Sequence, residues 1–299
     1  MKIIEAKREI DTGFLYHVIS FFSPQSNEYK RHFSELIEVA FYRPELLEEQ
    51  QKTAACLSSL DKLITAFTEK LESLKVYKKG LMQSLFPAEG EAVPRLRFPE
   101  FRDSGEWGRN TISSLLIKAS TPVEVKPNQM YQEIGIRSHG KGIFHKEPIR
   151  GEELGSKRVF WVEANSFVVN IVFAWEQAVA TTSNKEKGMI ASHRFPMYKA
   201  RAKKCDVNFI KHFFLTKKGK ELLGIASPGG AGRNKTLGQT DFNNITILTP
   251  EDVGEQKKIS DTLTAFDELI AAQTKQIEVL KEHKLGLMQG LFPVAEDSD

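Results

Sequence analysis

The segment GIRSHGKG, from Gly135 to Gly142, comes closer to a catalytic motif than any other part of this sequence. It falls one residue short of a phosphate-binding P-loop, because Gly142 stands where a Ser or Thr hydroxyl would hold magnesium. The sequence offers no acidic strand of the kind that completes such a site. An NTPase is therefore the weaker interpretation, and a glycine-flanked basic loop is the better one.

Three clusters of polar and basic residues have the side-chain types that contact DNA. Arg and Lys pair with phosphates, Arg also makes bidentate contacts with guanine, and Asn makes them with adenine. For any single residue the alternative is a solvated surface turn. We predict DNA contacts from Arg137, Ser138, His139 and Lys141 in the first cluster, from Arg233, Asn234 and Lys235 in the second, and from Lys185, Lys187 and Arg194 in the third, which also includes His193.

The histidines and cysteines do not indicate metal or redox chemistry. The histidines His139, His145, His193 and His212 lack metal-ligand spacing, and the two cysteines form no CxxC pair, so we predict no metal. The charged N-terminal segment lacks the apolar core of a signal peptide. No apolar run approaches the roughly 20 residues of a membrane-spanning helix. We therefore expect a cytoplasmic protein with free thiols.

The net charge of +3 hides a strongly basic middle. From Arg95 to Thr249 the chain has 25 Lys and Arg residues and 14 Asp and Glu residues, a surplus of +11, so the flanking segments carry −8. A domain with this surplus is suited to bind a polyanion such as DNA.

An internal repeat at an offset of 206 residues is the strongest pattern in the sequence. Pro44–Pro87 aligns without a gap onto Pro250–Pro293, and 22 of the 44 positions are identical. No proline occurs between the bounding prolines, so each copy can form one helix of about 40 residues.

Apolar residues recur in both copies with the 3-4 alternation of a heptad seam. Two independent helices of a bundle would show the same stripe. Two near-copies can also pack against each other with approximate two-fold symmetry and bury both seams at once. We therefore predict an antiparallel coiled coil. The predicted helix-pairing residues are Leu57, Leu60, Ile64, Phe67, Leu71 and Leu74 in the first copy, and Leu263, Phe266, Ile270, Ile277, Leu280 and Leu287 in the second.

Between the repeats, the heptad pattern gives way to short runs rich in Val, Ile, Phe and Thr, separated by Gly, Pro, Asn and Ser. This composition predicts a separate globular domain of mixed α/β class. The expected strands cover residues 132–136, 158–162, 167–173, 178–182 and 244–248, and the expected helices cover 207–215 and 217–223.

The order of these parts resembles the specificity (S) subunits of type I restriction-modification enzymes. PRLRFPEFRDSGEW (94–107), after a helix that ends in GLMQSLFP, is similar to the junction between a central helical region and the next target-recognition domain. The second helix ends in GLMQGLFP, as that family's chains often close. The segments 167–200, 227–245 (SPGGAGRNKTLGQTDFNNI) and 249–259 (TPEDVGEQKKI) resemble later parts of such a domain.

The front of the chain departs from that family. Its members generally carry two recognition domains, each followed by a helical region, whereas 43 residues precede the first repeat here. DTGFLYHV (11–18) faintly matches DVNFIKHF (206–213), which suggests the tail of a first recognition domain. The expected domains are a remnant of a first target-recognition domain (1–43), a first helical spacer repeat (44–87), a complete target-recognition domain (94–249) and a second helical spacer repeat (250–293).

The resemblance implies a non-catalytic subunit that reads one half of a bipartite DNA site and docks methyltransferase (M) subunits through its helices. The chain has no (Asn/Asp)-Pro-Pro-aromatic tetrapeptide of an adenine methyltransferase. S-adenosylmethionine would then belong to the M subunit, and ATP and magnesium to the motor and nuclease (R) subunit. A homodimer paired through the helices could restore the missing half. The alternative is a non-recognising scaffold or anti-restriction decoy that binds M subunits.

Overall fold

The structure is a computed structural model that describes residues 5–23, 40–229 and 235–293. The chain divides into two compact units. Unit 1 comprises residues 1–76 and 268–299, and unit 2 comprises Tyr77–Asp267. Within the described residues, no helix is both long enough and apolar enough to cross a membrane.

The described residues combine helices with short antiparallel strands. In chain order the helices are α1 (Thr12–Phe22), α2 (Leu47–Leu85), α3 (Ile112–Leu115), α4 (Val207–Leu215), α5 (Lys217–Ile225), α6 (Gln239–Asn244) and α7 (Val253–Leu291). The strands are β1 (Gly108–Thr111), β2 (Leu116–Ala119), β3 (Met130–Tyr131), β4 (Ile134–Ile136), β5 (Ile143–His145), β6 (Ile149–Arg150), β7 (Val159–Trp161), β8 (Phe167–Val169), β9 (Val179–Thr181), β10 (Ile190–Ser192), β11 (Met197–Ala200) and β12 (Thr246–Thr249).

The two copies of the repeat form α2 and α7, which have 39 residues each. Each helix begins three residues after the proline that opens its repeat and ends two residues before the proline that closes it. Proline has no amide hydrogen to donate and disfavours the helical conformation in the residue before it, so the prolines bound both helices. Each helix contributes residues to both units.

The long helices pack antiparallel, as predicted. In unit 1, the Nζ of Lys284 in α7 lies 2.6 Å from the Oδ1 of Asp61 in α2. In unit 2, Lys78 of α2 forms an ion pair with Asp267 of α7. Higher residue numbers on one helix therefore meet lower numbers on the other, which is the arrangement of an antiparallel pair.

The twelve predicted helix-pairing residues are all buried or half-buried. Leu57 and Leu263 occupy equivalent positions, and each packs in a cluster with a short helix: Leu57 with residues of α1, and Leu263 with residues of α4. Gln273 is a buried polar residue that interrupts the seam. Its side-chain amide donates a hydrogen bond to the backbone carbonyl of Phe67 at 3.2 Å, so it is not left without a partner. How much each residue contributes to pairing stays a prediction.

Helices α1 and α4 dock on the long helices through equivalent contacts. Asp11 caps α1, and its backbone amide donates to the Oε1 of Gln50 at 2.9 Å. Asp206 caps α4, and its amide donates to the Oε1 of Gln256 at 3.0 Å. Gln50 and Gln256 are equivalent positions of the repeat, so the faint match between 11–18 and 206–213 corresponds to a shared way of docking.

A four-stranded antiparallel sheet lies at the centre of unit 2, in the order β2-β11-β8-β9. Helix α4 packs against β8 and β9. Strand pairs β1-β12, β7-β10, β3-β6 and β4-β5 complete the described strands. Unit 2 thus combines helices with antiparallel strands, which confirms the predicted mixed α/β fold class.

Aromatic rings fill the core under this sheet. Phe167 of β8 stacks on Phe242 of α6 with ring centroids 5.9 Å apart, and Phe214 of α4 lies 5.5 Å from the same ring. All three side chains are completely buried, and each such burial contributes roughly 2–3 kcal/mol relative to an exposed ring. These contacts fix α4 and α6 on one face of the sheet.

The predicted strand 167–173 is too long by four residues. Strand β8 ends at Val169, because the side chain of Asn170 accepts a hydrogen bond from the amide of Val172 at 3.1 Å and the amide of Phe173 donates to the carbonyl of Asn170 at 3.1 Å. Asn commonly forms turns of this kind. The chain turns away at this point, and the next residues belong to the candidate site.

Candidate nucleic-acid interface

The first predicted DNA-contacting cluster lies on the loop 137–142 between β4 and β5. These strands pair antiparallel, with Ile136 opposite Ile143, and the amide of Arg137 donates to the carbonyl of Gly142 at 3.0 Å. A P-loop leads from a strand into a helix, whereas this loop leads into a second strand. GIRSHGKG is therefore a hairpin turn, and its fold does not fit an NTPase site.

Neighbouring backbone holds this loop in place. The amide of His139 donates to the carbonyl of Glu176 at 2.7 Å, and the amide of Gly140 donates to the carbonyl of Gln177 at 3.1 Å. The hydroxyl of Ser138 donates to the carboxylate of Glu176 at 2.8 Å. The loop is therefore preorganised by the turn that contains Glu176 and Gln177.

Glycine is required at one position of the loop. Gly140 has a φ of +65°, and a Cβ on this residue would lie 2.6 Å from the side chain of Leu215. Both the left-handed backbone and the close approach exclude other residues without a local shift.

The cationic side chains of the loop are exposed. Arg137, His139 and Lys141 reach solvent, while Ser138 is half-buried against Glu176. The guanidinium of Arg137 lies 4.8 Å from the centroid of the Phe144 ring, which orients it without neutralising its charge. Three of the four predicted residues are thus available to a ligand, and the hydroxyl of Ser138 is already engaged.

The second predicted cluster is described only in part. Arg233 and Asn234 lie outside the described residues. The Nζ of Lys235 lies 5.6 Å from the centroid of the Trp175 ring, a cation–π distance. Lys235 therefore lies beside the same turn that anchors the first loop.

Arg194, from the third cluster, also lies beside this turn. Its carbonyl accepts a hydrogen bond from the amide of Ile171 at 3.0 Å, and the carbonyl of Ile171 accepts one from the amide of Leu237 at 2.8 Å. Residue 171 therefore joins the loop of Arg194 to the segment that carries Lys235.

Residues 171–177, which we call the hub segment, bring members of all three clusters together. Its first residue contacts the backbone of Arg194, Trp175 contacts Lys235, and Glu176 and Gln177 hold loop 137–142. Among the described residues, no carboxylate forms an ion pair with the side chains of Arg137, Lys141, Arg194 or Lys235. The hub segment thus gathers cations whose charge the described protein does not neutralise.

Lys185 and Lys187 lie on a different loop, between β9 and β10, and both are exposed. The buried Glu186 between them accepts hydrogen bonds from the amide and hydroxyl of Ser183, both at 2.8 Å, and lies 3.1 Å from the Nε2 of His145. Burial opposes ionisation of Glu186, but these hydrogen bonds outweigh it, so the pKa of its carboxyl lies below its usual value. The structure places these two lysines beside β5, without a described contact to the hub segment.

The described residues contain no group of three or more His, Cys, Asp or Glu side chains placed to hold a metal ion. His212 is instead a core residue whose Nε2 lies 3.2 Å from the hydroxyl of Thr264. Its equivalent, His17, lies 3.0 Å from the hydroxyl of Ser58.

Sequence reasoning missed the hub segment itself. Trp175, Glu176 and Gln177 lie in the family-like segment 167–200 but were assigned no role from sequence, because their role depends on contacts with residues 37 to 60 positions away. The one local signal is the polar pair Glu176 and Gln177 inside an otherwise apolar run, which marks a turn between two buried strands.

Comparisons with known proteins agree on one family. A family model of the type I restriction modification DNA specificity domain matches residues 157–282. The MjaX type I restriction enzyme specificity subunit of Methanocaldococcus jannaschii is 24% identical over 256 residues, which cover 82% of this chain. The chain spans 57% of the length of that relative.

Solved structures show the same fold. The S subunit of a type I restriction-modification system from M. genitalium matches with a TM-score of 0.58 at 12% identity, over 96% of this chain and 74% of that one. The HsdS subunit of Thermoanaerobacter tengcongensis matches with a TM-score of 0.50 at 14% identity, over 97% of this chain and 72% of that one. With its repeated long helices and its α/β module, the chain is similar in sequence and in fold to type I restriction-modification specificity subunits.

Proposed function

We propose that the chain is a sequence-specific DNA-binding specificity subunit of a type I restriction-modification complex, and that unit 2 reads one half of a bipartite DNA site. In this proposal the chain is non-catalytic. The M subunit binds S-adenosylmethionine and transfers the methyl group, and the R subunit, which joins through the M subunits, binds ATP and magnesium.

The grouping of cations around the hub segment is the observation that carries this proposal. Arg137, Lys141, Arg194 and Lys235 come from three separate parts of the sequence, yet each lies on a loop or segment that contacts residues 171–177. They belong to a region with a surplus of +11. Such a surface gains affinity for DNA by releasing condensed counter-ions, and its Arg residues can also read guanine edges.

The outer faces of α2 and α7 are the proposed docking surface for M subunits. Leu63 and Leu269, which are equivalent positions of the repeat, are 41% and 52% exposed. Val279 and Leu285 on α7 are 49% and 51% exposed. In this proposal, an M subunit docked on these faces covers these apolar side chains.

A homodimer is part of the proposal. The repeat gives the helix pair approximate two-fold symmetry, and two chains would supply two recognition modules for two half-sites. Sedimentation velocity at micromolar concentration tests this point directly. A dimer is the expected species, and a strict monomer, alone and with M subunits, contradicts it.

A second candidate function is a scaffold or anti-restriction decoy that binds M subunits without recognising DNA. The observation that favours it is the exposure of Leu63, Leu269, Val279 and Leu285 on the long helices, because this surface could bind M subunits without any contribution from DNA.

Titration of a labelled random-sequence duplex at two salt concentrations separates the two functions. The recognition proposal expects binding that weakens steeply with salt, either by the chain alone or by the chain with M subunits. A decoy binds M subunits but adds no DNA affinity to them. Absence of DNA binding in every combination removes the recognition proposal.

A further inference from the structure

A cleft of about 220 Å³ lies beside the hub segment, and of the described residues in the three basic clusters only His193 lines it. Ile171, the first residue of the hub segment, is part of its wall. The other lining residues that matter here combine aromatic rings with polar and cationic groups: Phe160, Phe195, Lys118, Arg158, His193 and Gln239. Because its lining contains cationic side chains as well as aromatic rings, the cleft has the composition of an anion-binding site and not of a purely apolar depression.

The cleft has two side chains with a full positive charge, Lys118 and Arg158, and the backbone of each is held by a strand or a neighbouring loop. Lys118 lies in β2, opposite Tyr198 of β11, and its Nζ donates to the Oε1 of Gln239 at 2.7 Å. This hydrogen bond uses one of the three ammonium hydrogens and leaves two for a ligand. Arg158 immediately precedes β7, and its carbonyl accepts a hydrogen bond from the amide of His193 at 3.0 Å.

Neither charge is neutralised within the described part of the chain. Lys118 and Arg158 form no ion pair with any described carboxylate, although the neighbouring Lys157 lies 3.6 Å from the carboxylate of Glu133. Arg158 and His193 are both exposed. Two cations that share a cleft without a carboxylate repel each other, and an anion bound between them relieves that repulsion.

The position of the cleft indicates which anion it receives. Ile171 lines the cleft, and its amide donates to the carbonyl of Arg194, one of the cations of the proposed DNA interface. Arg194 also directly follows His193 of the cleft wall, so a DNA strand bound by Arg194 would lie close to the cleft. The volume of 220 Å³ suits a single phosphate with part of its sugar, and the rings of Phe160 and Phe195 offer the sugar an apolar contact.

We propose that this cleft is a phosphate-binding subsite of the DNA interface, in which Lys118 and Arg158 hold one backbone phosphate of the bound strand. The inference rests on the proposed function, because it needs DNA at the hub segment. It adds residues far from the glycine-flanked loops in sequence. Phosphate contacts position a recognition module on the duplex without reading bases, so these residues set register and affinity rather than sequence preference.

The test measures binding of the full chain to a labelled 30-base-pair random duplex by fluorescence anisotropy over a salt series. Lys118→Ala and Arg158→Ala are each expected to weaken binding about five- to tenfold at roughly 100 mM salt, and to reduce the slope of log K against log salt by about 0.9. Lys157→Ala is the matched control, since its ammonium is engaged by Glu133, and it is expected to change affinity less than twofold. Thermal melting of each variant checks folding.

A second arm distinguishes backbone phosphate from free phosphate. Inorganic phosphate is added at constant ionic strength, up to about 10 mM. The proposal expects inorganic phosphate to displace little DNA, because the other DNA contacts hold a backbone phosphate next to the cleft at a high effective concentration. Full displacement of DNA by millimolar phosphate would assign the cleft to a free anion and overturn the proposal.

The remaining outcomes are equally decisive. If the wild-type chain binds DNA and both variants bind it with unchanged affinity and slope, the cleft proposal fails while the proposed function stands. If the wild-type chain fails to bind DNA alone and with M subunits, both fail together.

Discussion

Lys284 and Asp61 form an ion pair between the long helices, and the same pair forms a second time with Lys78 and Asp267, the residues at the equivalent positions of the repeat. Each lysine is mostly buried, with 15% and 14% of its side chain exposed, and each aspartate is more open, at 37% and 42%. Each copy of the repeat contains one aspartate and one lysine at these positions. The aspartate of each copy pairs with the lysine of the other copy. The paired charges fix one antiparallel register.

Charge reversal at one pair is expected to destabilise the helices. Asp61→Lys places a second cation beside Lys284 and is expected to lower the free energy of unfolding by about 1–2 kcal/mol. The double variant Asp61→Lys, Lys284→Asp is expected to recover most of the loss. Urea unfolding followed by circular dichroism measures both. Equal loss in the single and double variants would mean that the pair does not set the register.

The glutamines that hold α1 and α4 are expected to be important for stability. Gln256 is completely buried, accepts from the amide of Asp206 and donates to the carbonyl of Pro250 at 2.9 Å, so Gln256→Ala leaves two buried groups without partners. We expect a loss of about 1–3 kcal/mol in the free energy of unfolding. Gln50→Ala is expected to cost a similar amount, and Gln83→Ala, at an exposed position of α2, serves as a near-neutral control. The same denaturant titration compares the three, and a neutral Gln256→Ala would refute the role assigned to it.

The buried imidazole of His212 makes stability depend on pH. Burial lowers the pKa of His212 to about 2, and the charges of Lys211 and Lys78 act in the same direction. In the unfolded chain the group titrates near 6.5. Above that pH the imidazole is neutral in both states. Below it, only the unfolded chain takes up the proton, so the free energy of unfolding falls by up to about 1.4 kcal/mol per pH unit.

The corresponding experiment compares wild type with His212→Gln between pH 7 and pH 5. The variant removes the titrating group while keeping a side chain that can hydrogen-bond to Thr264. Its stability is expected to fall less steeply as the pH decreases. His17, whose pKa is also lowered chiefly by burial, remains in both proteins and does not affect the difference. Parallel pH profiles would contradict a neutral, buried His212.

Loop 137–142 offers a test that links backbone conformation to DNA binding. Gly140→Ala introduces a side chain at a φ of +65° and within 2.6 Å of Leu215, so the loop must shift. We expect a loss of stability of about 1–3 kcal/mol and weaker DNA binding. Gly142→Ala is the matched control, because Gly142 also has a positive φ but open space around its Cβ. Anisotropy titration and thermal melting compare the variants, and equal effects of the two substitutions would exclude contact with Leu215 as the cause.

The helices were predictable because their signals are local. Proline bounds each repeat, the heptad pattern runs between the prolines, and the offset of 206 pairs the two copies. The fold class and the antiparallel pairing followed from these observations. The predicted helix 207–215 has the bounds observed for α4, and the structure shows that Asp206 caps its N-terminus.

The candidate site was less predictable because its geometry depends on distant contacts. The residue types of the three clusters were visible in the sequence, but the hub segment that joins them was hidden in the predicted strand 167–173 and the residues after it. Gln177 has a left-handed backbone conformation, with a φ of 58°, which the residue type does not predict because glutamine rarely adopts it. The cations of the cleft, Lys118 and Arg158, are isolated in sequence and become neighbours only through the pairing of β2 with β11 and of β7 with β10.

Mapping of methylated adenines tests the central claim most directly. The chain is co-expressed with a cognate M subunit, and genomic DNA is sequenced for methyladenine, in parallel with a variant that carries Arg137→Ala, Lys141→Ala, Arg194→Ala and Lys235→Ala. The proposed function predicts methylation at one defined sequence with the wild-type chain, and its loss with the fourfold variant although the M subunit still binds. Site-specific methylation that persists in the variant, or no site-specific methylation with the wild-type chain, would contradict it.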